Sequence, residues 1–165
     1  MFAKIAIAAG LVMSVLAATP AAAADTIYVI RHFEKEQGEN PALTAQGRAN
    51  AEALAAMLAD KGVKAVYATA TRRARETAEP LAKRLGLQVT DYEPNDVAAL
   101  VSSVKAGKGA ALIVGHSNTV PDLVGAFGGT HPAAIDESSY GTLYVVRDGN
   151  SIVGQITISS APQQR

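Results

Sequence analysis

The chain has 165 residues, of which 48% are apolar and 18% are charged, which is enough to bury the core of one domain and excludes a disordered chain. Fifteen basic and fifteen acidic residues give a formal net charge of zero, so an electrostatic nucleic-acid-binding protein is disfavoured. The absence of cysteine excludes a disulfide scaffold, a thiolate zinc site and a cysteine nucleophile.

The first 24 residues have the three-part composition of a secretory signal peptide. Lys4 gives an early positive charge, residues 5–18 are almost all apolar, and residues 21–24 are alanines. An apolar segment of about 14 residues is short against the roughly 20 that span a bilayer, which favours a cleaved signal over the alternative, a retained membrane anchor. We therefore expect cleavage near Ala24, a mature domain over residues 25–165 that has no membrane association, and a location in the periplasm or outside the cell.

Strands and helices alternate along the rest of the chain. Apolar stripes at helical spacing predict four amphipathic helices, with stripes over residues 51–58, 78–85, 97–104 and 120–127. Short β-rich runs predict strands at residues 26–30, 65–68, 87–90, 110–114, 143–147 and 151–158. The last two strands flank a hairpin turn at residues 148–150. This order predicts an α/β fold, a three-layer αβα sandwich whose mostly parallel sheet ends in an antiparallel hairpin.

Two of the three histidines follow predicted strands. His32 comes after the first strand, with Arg31 beside it, and His116 comes after the strand at residues 110–114. A single histidine in such a place is more often structural, but ligands of open α/β sheets bind beyond the carboxyl ends of the strands. We therefore expect His32 and His116 to share a site, whereas His131 is interpreted as a solvent-exposed loop residue.

Three arginines lie at the start of the second predicted helix. Cations at a helix N-terminus oppose the helix dipole unless an anion lies between them. Arg72 and Arg75 are interpreted as part of a solvated helix face. An inward role for Arg73 follows mainly from a resemblance to a known family.

These motifs resemble those of the histidine phosphatase superfamily, which includes the phosphoglycerate mutases. Arg31 and His32 are similar to its Arg-His pair, although Phe33 stands where the family usually has glycine. Three further blocks resemble its Leu-Thr-x-x-Gly helix start, its Tyr-Ser-Ser and Arg-Ala-x-x-Thr-Ala segment, and its Gly-His block: residues 43–48, 66–78 and 114–117. The blocks follow the family order over most of the mature chain.

The resemblance implies that His32 is a nucleophile that becomes phosphorylated, and that Arg31, Arg73 and His116 surround the phosphoryl group. A nucleophilic imidazole needs a free lone pair, and guanidinium groups nearby disfavour its protonated form. Phosphoryl transfer is mostly positioning and charge stabilisation, so these groups suffice in principle without a metal or cofactor. The expected reaction is hydrolysis of a phosphate monoester, in a small phosphorylated molecule or a phosphoprotein, through a phosphohistidine.

The proton donor for the leaving group is less directly indicated. Glu93 is the candidate, because it lies in the loop between the second arginine block and the second histidine. Its alternative role is at a helix start, which Asp96 fits better. One branch of the family has a carboxylate directly after the second histidine, where this chain has Ser117.

Three other functions remain as alternatives. A phosphohistidine phosphatase would need no such donor, because a protonated imidazole leaves readily. A catalytically inactive domain could bind phosphorylated ligands through the same residues, although binding alone needs no nucleophile. A metallohydrolase is disfavoured, because His32 and His116 are not spaced as metal ligands on one helical turn.

Overall fold

The computed structural model describes residues 26–147 and 151–158. The predicted signal segment and the predicted turn at residues 148–150 lie outside the described residues. The elements in chain order are β1 Thr26–Arg31, α1 Ala45–Leu58, β2 Val63–Ala68, α2 Arg72–Leu85, β3 Val89–Asp91, α3 Val97–Ala106, β4 Ala110–Gly115, α4 Val120–Ala126, β5 Thr142–Arg147 and β6 Ser151–Thr157.

The strands form one mixed sheet in the order β3-β2-β4-β1-β5-β6. Strands β1 to β4 are parallel, β5 is antiparallel to β1, and β6 is antiparallel to β5. Arg31 is paired with Gly115, and Ala68 is paired with Val114, so the carboxyl ends of β1, β2 and β4 meet at one edge. The predicted α/β fold, with its mostly parallel sheet and antiparallel end, is confirmed.

Helices cover both faces of the sheet. Alternate residues of a strand point to opposite faces, so a central strand covered on both sides is apolar throughout. On one face, Leu54 of α1 and Leu81 of α2 pack in one cluster with Leu112 of β4. On the other, α3 and α4 contribute to a second cluster, in which Leu123 packs with Ile113. Within the described residues, no helix is both long and apolar enough to cross a membrane.

The helix boundaries follow local signals in the sequence. Thr44 caps α1 by accepting a hydrogen bond from the Gly47 N–H at 3.0 Å, and Asp96 caps α3 in the same way. Gly86 ends α2 in the left-handed conformation, with φ of 67°. The Leu87 N–H still bonds to the Ala82 carbonyl of the helix, so β3 begins at residue 89 rather than at the predicted residue 87.

Gly47 allows helix α1 to pack against the segment that follows β1. A Cβ atom at this position would overlap the backbone carbonyl oxygen of Glu34. This close approach matters for the site because Glu34 is two residues beyond His32. The glycine of the Leu-Thr-x-x-Gly block is therefore required by backbone contact rather than by helix propensity.

We expect Gly47→Ala to lower the free energy of unfolding by about 1–3 kcal/mol, because the backbone of residue 34 must shift to admit the methyl group. In an unconstrained helix the same change stabilises by up to about 1 kcal/mol. Gly125→Ala in α4 is the matched control, since its added Cβ would make only ordinary contacts, the nearest to His131 at 3.5 Å. Chemical denaturation of both variants measures the effect, and equal stabilisation of the two would contradict the packing argument.

Candidate active site

The carboxyl edge of the sheet brings four of the predicted site residues together. His32 follows β1, His116 follows β4, and their ring centroids lie 5.3 Å apart. Arg73, in the first turn of α2, lies between them, with Nε 3.1 Å from His32 Nε2 and Nη2 3.4 Å from His116 Nδ1. Arg31 is the last residue of β1. The two histidines and two arginines form one cluster, which we call the histidine–arginine cluster.

The tautomer of His32 follows from its two hydrogen bonds. Its Nδ1 lies 2.8 Å from the backbone carbonyl oxygen of Phe33, which can only accept, so Nδ1 carries the proton. Its Nε2 faces Nε of Arg73, which can only donate. The Nε2 lone pair therefore points into the histidine–arginine cluster, as a nucleophile requires.

Burial keeps the His32 imidazole neutral. Its side chain is 3% exposed, and this loss of solvation is the main reason that its pKa falls from 6.5 to about 3. The hydrogen bond to Phe33 opposes the shift, and the nearby charges of Arg73 and Arg31 add to it. The ring is therefore unprotonated throughout the neutral pH range.

His116 is held by Thr69, the residue that follows β2. Its Nε2 lies 2.9 Å from the Thr69 hydroxyl oxygen, while Nδ1 receives the hydrogen bond from Arg73. A neutral His116 therefore donates from Nε2 to Thr69. Burial, followed by the charges of Arg73 and Arg31, lowers its pKa to about 4. Thr69 has no role in the sequence-based prediction, although its place after a parallel strand could have indicated one.

Arg31 is 3% exposed and is enclosed by the segment that precedes β5. Its Nη1 donates to the carbonyl oxygens of Asp136 at 2.8 Å and Ser139 at 2.9 Å. Its Nη2 donates to Glu137 at 2.9 Å, and its guanidinium carbon lies 4.2 Å from the ring centre of Tyr140. The Nε atom is buried and has no partner within the described residues.

Glu137 and Tyr140 belong to the same surroundings but were not among the predicted site residues. The Glu137 carboxylate accepts hydrogen bonds from Arg31 and from the Ser117 hydroxyl. The Tyr140 ring centroid lies 6.1 Å from that of His32. Both residues lie in a stretch without helix or strand, more than one hundred residues after Arg31, and no periodic pattern marks them.

Glu93 lies apart from the contacts described above. It follows β3, is exposed, and lines a shallow cavity with Tyr92 and Asp96. In the described part of the chain, no hydrogen bond joins its carboxylate to His32 or His116. Asp96 caps α3, as its alternative role suggested. The assignment of Glu93 as a proton donor stays a prediction.

The remaining polar residues near the site have structural partners. Arg72 and Arg75 are exposed and form ion pairs with Glu76 and Asp91, so their interpretation as a solvated helix face is confirmed. His131 is exposed and contacts Asp122 at 3.0 Å, as expected for a loop residue. Across the residues that the structure describes, no group of three or more His, Cys, Asp or Glu side chains could hold a metal ion.

Phe33, which departs from the family pattern, is fully buried in the core cluster on the α1–α2 face. Its N–H donates to the Thr77 hydroxyl at 3.2 Å, and Thr77 in turn donates to the Arg73 carbonyl at 2.9 Å. The phenyl ring therefore fixes the backbone that orients His32 and joins it to the turn that carries Arg73.

Comparisons with solved structures identify proteins of the same fold. The SixA protein of Agrobacterium tumefaciens has a TM-score of 0.61 at 16% identity, covering 81% of this chain and 98% of its own. The protein histidine phosphatase SixA complexed with tungstate has a TM-score of 0.64 at 18% identity, covering 80% and 96%. The mycobacterial glucosyl-3-phosphoglycerate phosphatase Rv2419c with inorganic phosphate has a TM-score of 0.60 at 15% identity, covering 73% and 88%. At these identities the similarity shows a shared fold.

Comparison at the level of sequence agrees with the motifs. No curated protein matches the chain. Residues 27–94 match the family model of the histidine phosphatase superfamily, branch 1, and this segment contains Arg31, His32 and Arg73. With the sheet order, the histidine–arginine cluster and the shared fold, this match makes the chain similar to the histidine phosphatase superfamily over residues 27–94.

Proposed function

We propose that the chain is a phosphoric monoester hydrolase that transfers the phosphoryl group first to His32 and then to water. The observation that carries this proposal is the unprotonated Nε2 of His32, which faces the guanidinium of Arg73 at 3.1 Å. The hydrogen bond from Nδ1 to the Phe33 carbonyl holds the ring in that orientation. The substrate is a small phosphorylated molecule or a phosphoprotein.

Arg31 and Arg73 are the residues that would hold the phosphoryl group. Among the described residues the buried Nε of Arg31 has no acceptor, and a phosphoryl oxygen would supply one. The Arg73 N–H occupies the Nε2 lone pair of His32 at rest, so it must move to a phosphoryl oxygen when phosphorus approaches. Binding the substrate thereby frees the nucleophile, and both guanidinium groups stabilise the charge on the transferring group.

Two steps complete the reaction. The Nε2 lone pair forms a bond to phosphorus while the bond to the leaving oxygen breaks, which gives a phosphohistidine. Water then attacks phosphorus, the nitrogen–phosphorus bond breaks, and inorganic phosphate leaves. His116 stays neutral, with its Nδ1 directed at Arg73. We propose that it lies beside the phosphoryl group as a neutral imidazole and does not add a positive charge to the site.

Phosphohistidine hydrolysis is the second candidate, and the shared fold with the SixA structures is what supports it. The inactive-binder alternative is disfavoured, because a bound phosphoryl group gains nothing from a lone pair held toward it. We further propose that the N-terminal segment directs export to the periplasm or the exterior. That proposal depends on the charge and apolar run of the first 24 residues.

A phosphohistidine should form at His32 and should not depend on added metal. Labelled substrate, quenched without acid, should leave an acid-labile and alkali-stable phosphate on the peptide that contains His32. His32→Ala should lose at least about 10³-fold in kcat. His131→Ala is the control, since His131 is an exposed loop histidine that contacts Asp122. Full activity of His32→Ala, or loss of activity with a chelator and recovery with zinc, would contradict the mechanism.

His32 and His116 should make the fold less stable as the pH falls from 7 to 5. In this range the unfolded histidines bind protons near pH 6.5, whereas folded His32 and His116, with pKa values of about 3 and 4, do not. The unfolded state therefore gains protons, and the free energy of unfolding falls. The slope is at most about 1.4 kcal/mol per pH unit for each histidine, and less for the partly exposed His116.

Urea denaturation at several pH values measures this slope. His32→Gln and His116→Gln should each flatten it, whatever their stability at pH 7, because each variant removes one group that titrates only in the unfolded state. An unchanged slope in both variants would show that the folded imidazoles titrate as freely as unfolded ones.

Export should end with cleavage close to Ala24 when the full chain is expressed in a bacterial host. N-terminal sequencing of the periplasmic or secreted protein should begin at or near Asp25. Leu11→Arg, which interrupts the apolar run, should keep the chain in the cytoplasm with its first residues intact. Recovery of the parent chain in the cytoplasm with Met1 in place would contradict the prediction.

A further inference from the structure

The segment between α4 and β5 is attached to the site through Arg31. Two of its backbone carbonyls, those of Asp136 and Ser139, accept from Nη1 of Arg31, and the ring of Tyr140 lies against the guanidinium. These contacts lie within a stretch of five consecutive residues, 136–140, which we call the strap. The strap therefore holds its own side chains at a fixed place beside the histidine–arginine cluster.

The strap brings one carboxylate to that cluster. One oxygen of Glu137 accepts from Nη2 of Arg31 at 2.9 Å, and the other accepts from the hydroxyl of Ser117, the residue next to His116. Among the residues that the structure describes, Glu137 is the only one whose carboxylate is hydrogen-bonded to Arg31, Arg73, His32 or His116. Its side chain is 79% exposed, so it can exchange protons with solvent and meet a substrate.

We propose that Glu137 is the general acid that protonates the leaving group and the general base that takes a proton from the attacking water. The proposal rests on the proposed function. When Nε2 of His32 bonds to phosphorus, the phosphorus–oxygen bond breaks with its electron pair, and the leaving oxygen takes the proton of Glu137. When water then bonds to phosphorus, the nitrogen–phosphorus bond breaks with its pair returning to Nε2, and a water proton goes to the Glu137 carboxylate.

Substrate binding supplies the protonated form that the first step needs. In the free protein the hydrogen bond from Ser117, with the charges of Arg31 and Lys35, keeps the pKa of Glu137 below its usual range. A phosphoryl dianion that binds Arg31 competes for its donors and adds negative charge beside the carboxylate. Both effects favour the protonated carboxylic acid, so Glu137 takes up a proton as the substrate enters.

Glu93, the other candidate, has no comparable contact with any residue in the described part of the chain. Glu93 is exposed and follows Tyr92, whose hydroxyl donates to the backbone carbonyl of Val114. The two glutamates are thus on different loops at the same edge of the sheet, and only Glu137 reaches Arg31. This difference makes the assignment testable by one pair of variants.

The test compares Glu137→Gln with Glu93→Gln on an alkyl phosphate and on an aryl phosphate with a good leaving group. For Glu137→Gln, kcat/KM on the alkyl phosphate should fall by about 10²–10⁴-fold, whereas kcat/KM on the aryl phosphate should change less than about threefold. Glutamine can still accept from Arg31, so the strap stays attached. Glu79→Gln, on the exposed face of α2, is the control for the same chemical change elsewhere.

Loss of the base gives a second readout. With the aryl phosphate, Glu137→Gln should release one equivalent of phenol in a burst and then turn over slowly, with phosphohistidine accumulating on His32. A structural role for Glu137 would not produce this pattern.

Each other outcome overturns the proposal. An equal fall in kcat/KM on both substrates would mean that Glu137 only positions Arg31. A rise in kcat/KM on both substrates would mean that the Glu137 carboxylate competes with the phosphoryl group for Arg31. A selective loss on the alkyl phosphate in Glu93→Gln alone would assign the donor to Glu93. Absence of any phosphohistidine in the parent chain would instead contradict the proposed function itself.

Discussion

The hydrogen bond from His32 Nδ1 to the carbonyl of Phe33 is the contact on which the rest of the site depends. A carbonyl can only accept, so the proton is confined to Nδ1 and the lone pair to Nε2. The Phe33 carbonyl is held in position for this hydrogen bond, because the Phe33 ring is fully buried in the core and its N–H donates to the Thr77 hydroxyl. The packing of Phe33 in the core thus determines that His32 carries its proton on Nδ1 and its lone pair on Nε2.

The parallel pairing of β1 with β4 fixes the position of His116 relative to His32. The His32 N–H donates to the Gly115 carbonyl at 3.0 Å, which extends the β1–β4 ladder by one step and places His116 at the same level. Thr69, at the end of β2, then reaches His116, and Arg73 reaches both histidines from the first turn of α2. The geometry of the cluster is therefore a consequence of strand register, which apolar residues on both faces of the sheet maintain.

The sequence contains most of the information for the part of the site that follows the parallel strands. His32 and His116 could be placed together because a β-rich run precedes each, and parallel strands end at one edge. The sheet and four helices follow from apolar spacing, and the shift of β3 by two residues comes from the way Gly86 and Leu87 end α2. These features depend on residues close together in the chain.

The strap could not be predicted in the same way. Glu137 and Tyr140 lie between α4 and β5, more than one hundred residues after Arg31, and their segment has no repeating pattern. The sequence favours Glu93 because its loop lies between two recognisable motifs, a criterion based on position in the chain. Contact between a loop and a strand end depends on loop conformation, which neither propensity nor periodicity determines.

The burial of Arg31 also explains why the strap lies where it does. Burying a guanidinium to 3% exposure costs folding free energy unless acceptors and a negative charge lie close to it. The strap supplies two carbonyls, a carboxylate and an aromatic face. Arg31 is thereby shared between the strap and any phosphoryl group that binds its Nε, which has no partner within the described residues. A phosphoryl group that binds Arg31 changes the hydrogen bonds that Arg31 can make to Glu137. Anion binding and the proton affinity of Glu137 are therefore linked. A site of this kind raises the proton affinity of its carboxylate only when a phosphoryl group is bound.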